Sequence, residues 1–87
     1  MTDRIDAERL AGTWSTAMHL REQIAATAVS IAETEDSVAD TLDHLARVRP
    51  QDAERLHARA EHARLFAARE RAQAEIYRSR AGTADRR

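Results

Sequence analysis

A single proline, Pro50, stands between two long stretches that both read as helix. Proline inside a helix removes a backbone donor and clashes with the preceding turn. At the first helical position its missing N–H costs nothing. The local sequence is Arg47-Val48-Arg49-Pro50-Gln51-Asp52-Ala53-Glu54. Arg47 and Arg49 suit a helix C-terminus. Asp52 and Glu54 suit a helix N-terminus, where carboxylates meet free N–H groups. One helix therefore ends near Val48 and another begins near Pro50, and so short a connection makes them antiparallel neighbours.

The expected fold is all-α: an antiparallel two-helix hairpin with helices over about 14–48 and 50–79 and a short N-terminal helical extension over 3–11. Gly12-Thr13 marks the candidate interruption, although glycine in a helix interior costs only about 1 kcal/mol and a continuous helix is the alternative. Trp14 would anchor the extension on the end of the bundle. Residues 1–80 form the expected single domain and 81–87 a disordered tail.

Aromatic residues are 3% of the 87-residue chain and charged residues 33%, so the core must be thin and built largely from alanine. A domain this small gains from oligomerisation. The chain has no cysteine, which excludes disulfides, thiolate nucleophiles and cysteine-bound zinc. Its first residues lack the basic and apolar segments of a signal peptide. No stretch approaches the roughly 20 apolar residues of a membrane span. A cytoplasmic protein is the expectation.

Net charge is −1, but it divides unevenly. Residues 1–49 carry five arginines and nine acids; residues 50–87 carry nine arginines and six acids. The arms, at −4 and +3, should attract each other across an antiparallel hairpin. Glu54, Glu61, Glu70 and Glu75 interrupt the second arm's arginines, so nucleic acid is not the expected partner.

At about 100° per residue, Leu20, Ile24, Ala28, Ile31, Val38, Leu42 and Leu45 fall on one stripe of the first arm, interrupted by Glu35. The second arm's seam is Leu56, Ala60, Ala63, Ala67 and Ala74, flanked by Phe66 and Tyr77, with Glu70 in a seam position. Small seam residues let two helix axes approach closely. With the turn at residues 49 and 50, facing residue numbers sum to about 99. Glu35 then faces Arg64, and an ion pair between them would fix the register. Met18, Val29, Leu65 and Ile76 lie off both seams, which points to self-association, most simply as a dimeric four-helix bundle.

Metal chemistry has one set of candidates: Asp40 and His44 on the first arm, and Glu54-x-x-His57-x-x-x-Glu61 on the second. Glu-x-x-His is the spacing used by carboxylate-bridged metal sites in helical bundles. Glu35 with Glu54-x-x-His57 resembles the ligand pattern of encapsulated-ferritin hairpins. However, Glu35 stands level with residue 64, roughly 15 Å along the axis from Glu54. No cofactor is expected. No serine, histidine and acid converge as a nucleophile and base, and no glycine-rich loop offers a phosphate cradle. The expected function is a small non-enzymatic interaction or scaffold module that self-associates, with a homodimer favoured, and meets protein partners. The alternative is a metal-binding helical bundle with ferritin-like oxidase or storage activity, and a third reading is arginine-mediated nucleic-acid binding.

Overall fold

The computed structural model describes residues 2–85, with side chains from residue 4 to residue 80. Two helices, α1 (Thr2–Val48) and α2 (Ala53–Asp85), pack against each other along their lengths, joined by a 3-10 turn at Pro50–Asp52. No strand occurs among the described residues. The hairpin is a rod with extents of 75 × 16 × 12 Å. No helix is long and apolar enough to cross a membrane, among the described residues.

The break falls where Pro50 dictates. Arg49 leaves the helix at φ −123° and ψ 77°, outside the α region that a following proline disfavours. The Arg49 amide still donates to the Leu45 carbonyl at 2.8 Å, closing the last turn of α1. Beyond the proline, the Asp52 amide donates to the Arg49 carbonyl at 3.0 Å and the Ala53 amide to the Pro50 carbonyl, so the 3-10 turn runs directly into α2. Arg47 lies in the last turn of α1 and Glu54 in the first turn of α2, each favourable to its helix dipole.

Two boundaries differ from the sequence expectation. The N-terminal piece is not separate, because α1 runs unbroken through Gly12 and Thr13. The Thr16 hydroxyl donates to the Gly12 carbonyl at 3.0 Å, and nothing lies within 4 Å of where a Cβ on Gly12 would stand. With no crowding and no turn geometry to serve, glycine's propensity penalty alone is too small to end a helix extended from both sides. Helix α2 also continues past Ser79, to Asp85. Arg86 and Arg87, the end of the expected tail, lie outside the described residues.

The core is a zipper of alanines. In α1 the innermost residues are Ala25, Ala32, Ala39 and Ala46, seven apart and at most 3% exposed. In α2 they are Ala60, Ala67 and Ala74, again seven apart and at most 1% exposed, with Ala53 half-buried one heptad earlier. Ala28, Leu56 and Ala63 complete the buried set. A strict seven-residue repeat keeps a seam facing its partner when two helices supercoil slightly. Leu56 is the only buried side chain larger than alanine among the described residues, so the helices meet almost backbone to backbone.

Ala25 and Ala28 pack with Ala74, and Ala39 packs with Ala60 and Ala63. The facing numbers sum to 99 or 102, as Pro50 predicts. At this register the end of α2 comes level with about residue 15 of α1, and the first turns of α1 pass beyond it.

The second-arm seam is as expected at Leu56, Ala60, Ala63, Ala67 and Ala74. The first-arm seam is not. Leu20, Ile24, Ile31 and Val38 are 40–52% exposed, and Leu42 and Leu45 are half-buried. Only Ala28 of the expected stripe is fully inside. The alanine seam sits one residue further along, in the repeated pairs Ile24-Ala25, Ile31-Ala32, Val38-Ala39 and Leu45-Ala46. The physical reason is matching: alanines on α2 leave no room for isoleucine opposite, so α1 turns its own alanines inward.

Candidate functional site

Rotating α1 onto its alanines gives the hairpin two unlike flanks. On one flank, heptad positions carry Glu22, Asp36 and Asp43 on α1 and His57, Arg64, Arg71 and Arg78 on α2. These meet as a ladder. The Arg64 guanidinium donates to Asp43 at 2.6 Å and to Asp40 at 3.1 Å. Arg71 donates to Asp36 at 2.6 Å, and Arg78 to Glu22 at 3.3 Å. His57 Nδ1 lies 2.8 Å from Asp43, carrying the proton in that bond because a carboxylate can only accept. Every cross-helix ion pair among the described residues runs from an acid on α1 to a base on α2. That is the attraction the uneven charge of the two arms implies.

Asp43 is the hub of the ladder. Its hydrogen bond with His57, and then that with Arg64, hold its carboxyl below the ordinary carboxylate value. Arg64 is held correspondingly more firmly protonated, first by Asp43 and then by Asp40. Val29 occupies the heptad position where an acid would continue the ladder, and packs instead against Ala25, Ala28 and Ala74.

The Glu35–Arg64 pair does not form. Their numbers sum to 99, so the height is right, but they lie on opposite flanks. Arg64 faces the acidic flank and is taken by Asp43 and Asp40. Glu35 is half-buried on the other side, beside Val38, Leu42 and Arg59. Glu70, also half-buried, lines the same flank beside Ile24, Ile31 and Tyr77. Neither glutamate has a hydrogen bond or ion pair among the described residues.

The metal candidates are dispersed. His57 is held by Asp43, and Asp40 by Arg64. The Arg64 cation stands among them, lining one shallow groove with Asp43, His57 and Glu61. His44 and Glu54 are exposed. Among the described residues no three histidine or carboxylate side chains group as metal ligands.

On the second flank α1 carries an apolar stripe that is largely open. Along α1, Leu10, Thr13, Ala17, Leu20, Ile24, Thr27, Ile31, Thr34, Val38, Thr41, Leu45 and Val48 follow alternating three- and four-residue steps with no charge among them. This stripe lies about 130° around α1 from the alanine seam. Thr27, Thr34 and Thr41 donate their hydroxyls to the Gln23, Ser30 and Ser37 carbonyls of their own helix at 2.9–3.1 Å. Each threonine thus satisfies its polar atom internally and adds a methyl group to the stripe. Asp3 and Asp6 stand where the stripe would continue at one end, and Pro50 closes the other.

Five of these twelve side chains, Leu20, Ile24, Ile31, Val38 and Leu45, stand out in the sequence, where hydrophobicity assigns them to the intrachain seam. The seven-residue recurrence of alanine in both arms is the signal that separates the two surfaces. Comparison with protein-family models, curated proteins and solved structures finds no match to this chain.

Proposed function

We propose that this chain is a small non-enzymatic interaction module that works by self-association, two hairpins forming a four-helix bundle that serves as a scaffold for protein partners. The observation that carries this reading is the uncharged heptad stripe on α1. It has the same period as the alanine seam, and α2 covers it only in part, leaving its large side chains about half open.

Energetics support it. Among the described residues the intrachain core buries one leucine and otherwise alanines, while Leu20, Ile24, Ile31 and Val38 remain about half open. Fully burying such a side chain is worth about 1.5–3 kcal/mol, so the open half is worth about 1 kcal/mol each. A two-fold contact gains this from both copies.

The test is light scattering with thermal melting over a hundredfold concentration range. A dimer that dissociates on dilution, with a melting temperature that rises with concentration, is the expected result. A well-folded monomer with one melting temperature throughout would overturn the reading.

A further inference from the structure

Two half-buried charges on α1 flank the open stripe without a partner. Glu35 is one. The other is Arg21, which has no ion pair or hydrogen bond among the described residues. They occupy equivalent heptad positions, fourteen residues apart, at the edge where the stripe meets the alanine seam. Resting on the self-association read above, we infer that the second copy lies antiparallel, α1 against α1, with Arg21 of each copy paired to Glu35 of the other.

The occupant follows from charge and length. The stripe is uncharged over all its positions from Leu10 to Val48, a span of about 57 Å. On the same flank α2 carries Arg55, Arg59, Arg69 and Arg80, which would bring cations into an apolar seam. The surface of this chain that matches the stripe in period, length and neutrality is the stripe itself, and a two-fold contact requires such self-complementarity.

Register follows from the ends. In an antiparallel pair, stripe positions face each other along the whole length only when their numbers sum to 58. Leu10 then meets Val48, Leu20 meets Val38, Ile24 meets Thr34 and Thr27 meets Ile31. Large side chains fall opposite threonine or valine, which gives layers of similar volume except at Ala17–Thr41, where two small side chains meet. The hairpin supplies the rule for flanking pairs. Its core contacts Ala39–Ala63 and Ala28–Ala74 sum to 102, and its flank pairs Glu22–Arg78 and Asp43–His57 sum to 100, two fewer. Two fewer than 58 is 56, the sum of 21 and 35. The register one heptad further on, at 65, sums to 70 for flank pairs in the manner of Asp43–Arg64, and so sets Glu35 against its own counterpart. A parallel in-register pair sets Ser30 of one copy beside Glu35 of the other and leaves Arg21 unmatched. The register at 51 would also pair Arg21 with Glu35, in the manner of Asp43–Arg64, but leaves Leu45 and Val48 without stripe partners. Charge therefore selects the orientation and excludes the register at 65, and full overlap of the stripe selects 58.

The test uses the chain's lack of cysteine. Leu10→Cys and Val48→Cys are made singly, at positions 71% and 62% exposed in the hairpin, where neither substitution disturbs the core. The two proteins are mixed and equilibrated in a glutathione redox buffer, and sedimentation follows the mass under reducing conditions. The expected result is a dimer whose disulfide is predominantly the mixed 10–48 species. In the antiparallel pair the thiols introduced at position 10 of the two copies are about 57 Å apart and cannot join. A dimer that yields mainly 10–10 and 48–48 disulfides overturns the orientation and leaves self-association standing. A reduced protein that is monomeric throughout overturns both. The charge pair has its own readout: Glu35→Arg weakens the dimer at least tenfold, and Arg21→Glu added to it restores the affinity. Failure of the second change to restore it overturns the pairing.

Discussion

Arg64 donates to Asp43 at 2.6 Å across the hairpin, on the flank opposite Glu35, which stands at the same height. That choice of flank follows from how α1 is turned. With its alanines inward, its carboxylates line up against the arginines of α2, and its larger aliphatic side chains face away. One rotation of one helix thus sets the core, the ladder and the open stripe together.

The Asp43 cluster makes a pH prediction. The folded carboxyl titrates below its unfolded value of 3.8, so its contribution to stability is complete above that value. It is lost as pH falls through the folded value. Asp43→Asn should therefore melt below the wild type at neutral pH, and the gap should close under more acidic conditions. Melting curves at fixed protein concentration from pH 7 to about pH 2.5 read this directly. An unchanged gap across the range would show that the charge of Asp43 is not what stabilises the hairpin.

The alanine zipper makes a size prediction with an unusual sign. Leucine normally strengthens a helical seam, but Ala39 and Ala60 are fully enclosed and pack together. Ala39→Leu should destabilise by about 1–3 kcal/mol through overpacking. Leu56→Ala should cost about 2–5 kcal/mol because it empties the largest core position. Urea unfolding measures both. A stabilised Ala39→Leu would mean that the helices are further apart than an alanine seam allows.

Gly12 lies inside α1 and off both stripes, with open space around it. Gly12→Ala should stabilise the local helix by about 0.5–1 kcal/mol. Amide exchange at the neighbouring residues should slow by about two- to fivefold. Faster exchange there would indicate that the chain bends at Gly12 and that the glycine is needed for it.

Much of this is legible in the sequence, for definite reasons. Pro50 fixes the break because no helix interior tolerates it, and the break fixes the register within one turn. The α2 seam is legible because Leu56 and its alanines have no competing apolar stripe beside them. The α1 seam is not, because a larger aliphatic precedes each of Ala25, Ala32, Ala39 and Ala46, and a reading weighted by hydrophobicity selects Ile24, Ile31 and Val38. Packing answers to the partner's shape, and alanine on α2 demands alanine on α1. Glu35 stands out in the sequence as an interruption of the isoleucine-containing stripe. Its pairing with Arg64 fails because height along a hairpin says nothing of flank.

Sedimentation equilibrium of the wild type beside Ile31→Asp, with helicity measured on the same samples, tests the role of the open stripe most directly. Ile31 is 40% exposed and lies outside the alanine core, so the substitution leaves the hairpin able to fold. The expected result is a wild type at twice the 9.8 kDa chain mass at micromolar concentration, and a variant at the chain mass that remains helical. Identical masses for the two proteins, whether both monomeric or both dimeric, would contradict the assignment of the α1 stripe as the surface through which the copies meet.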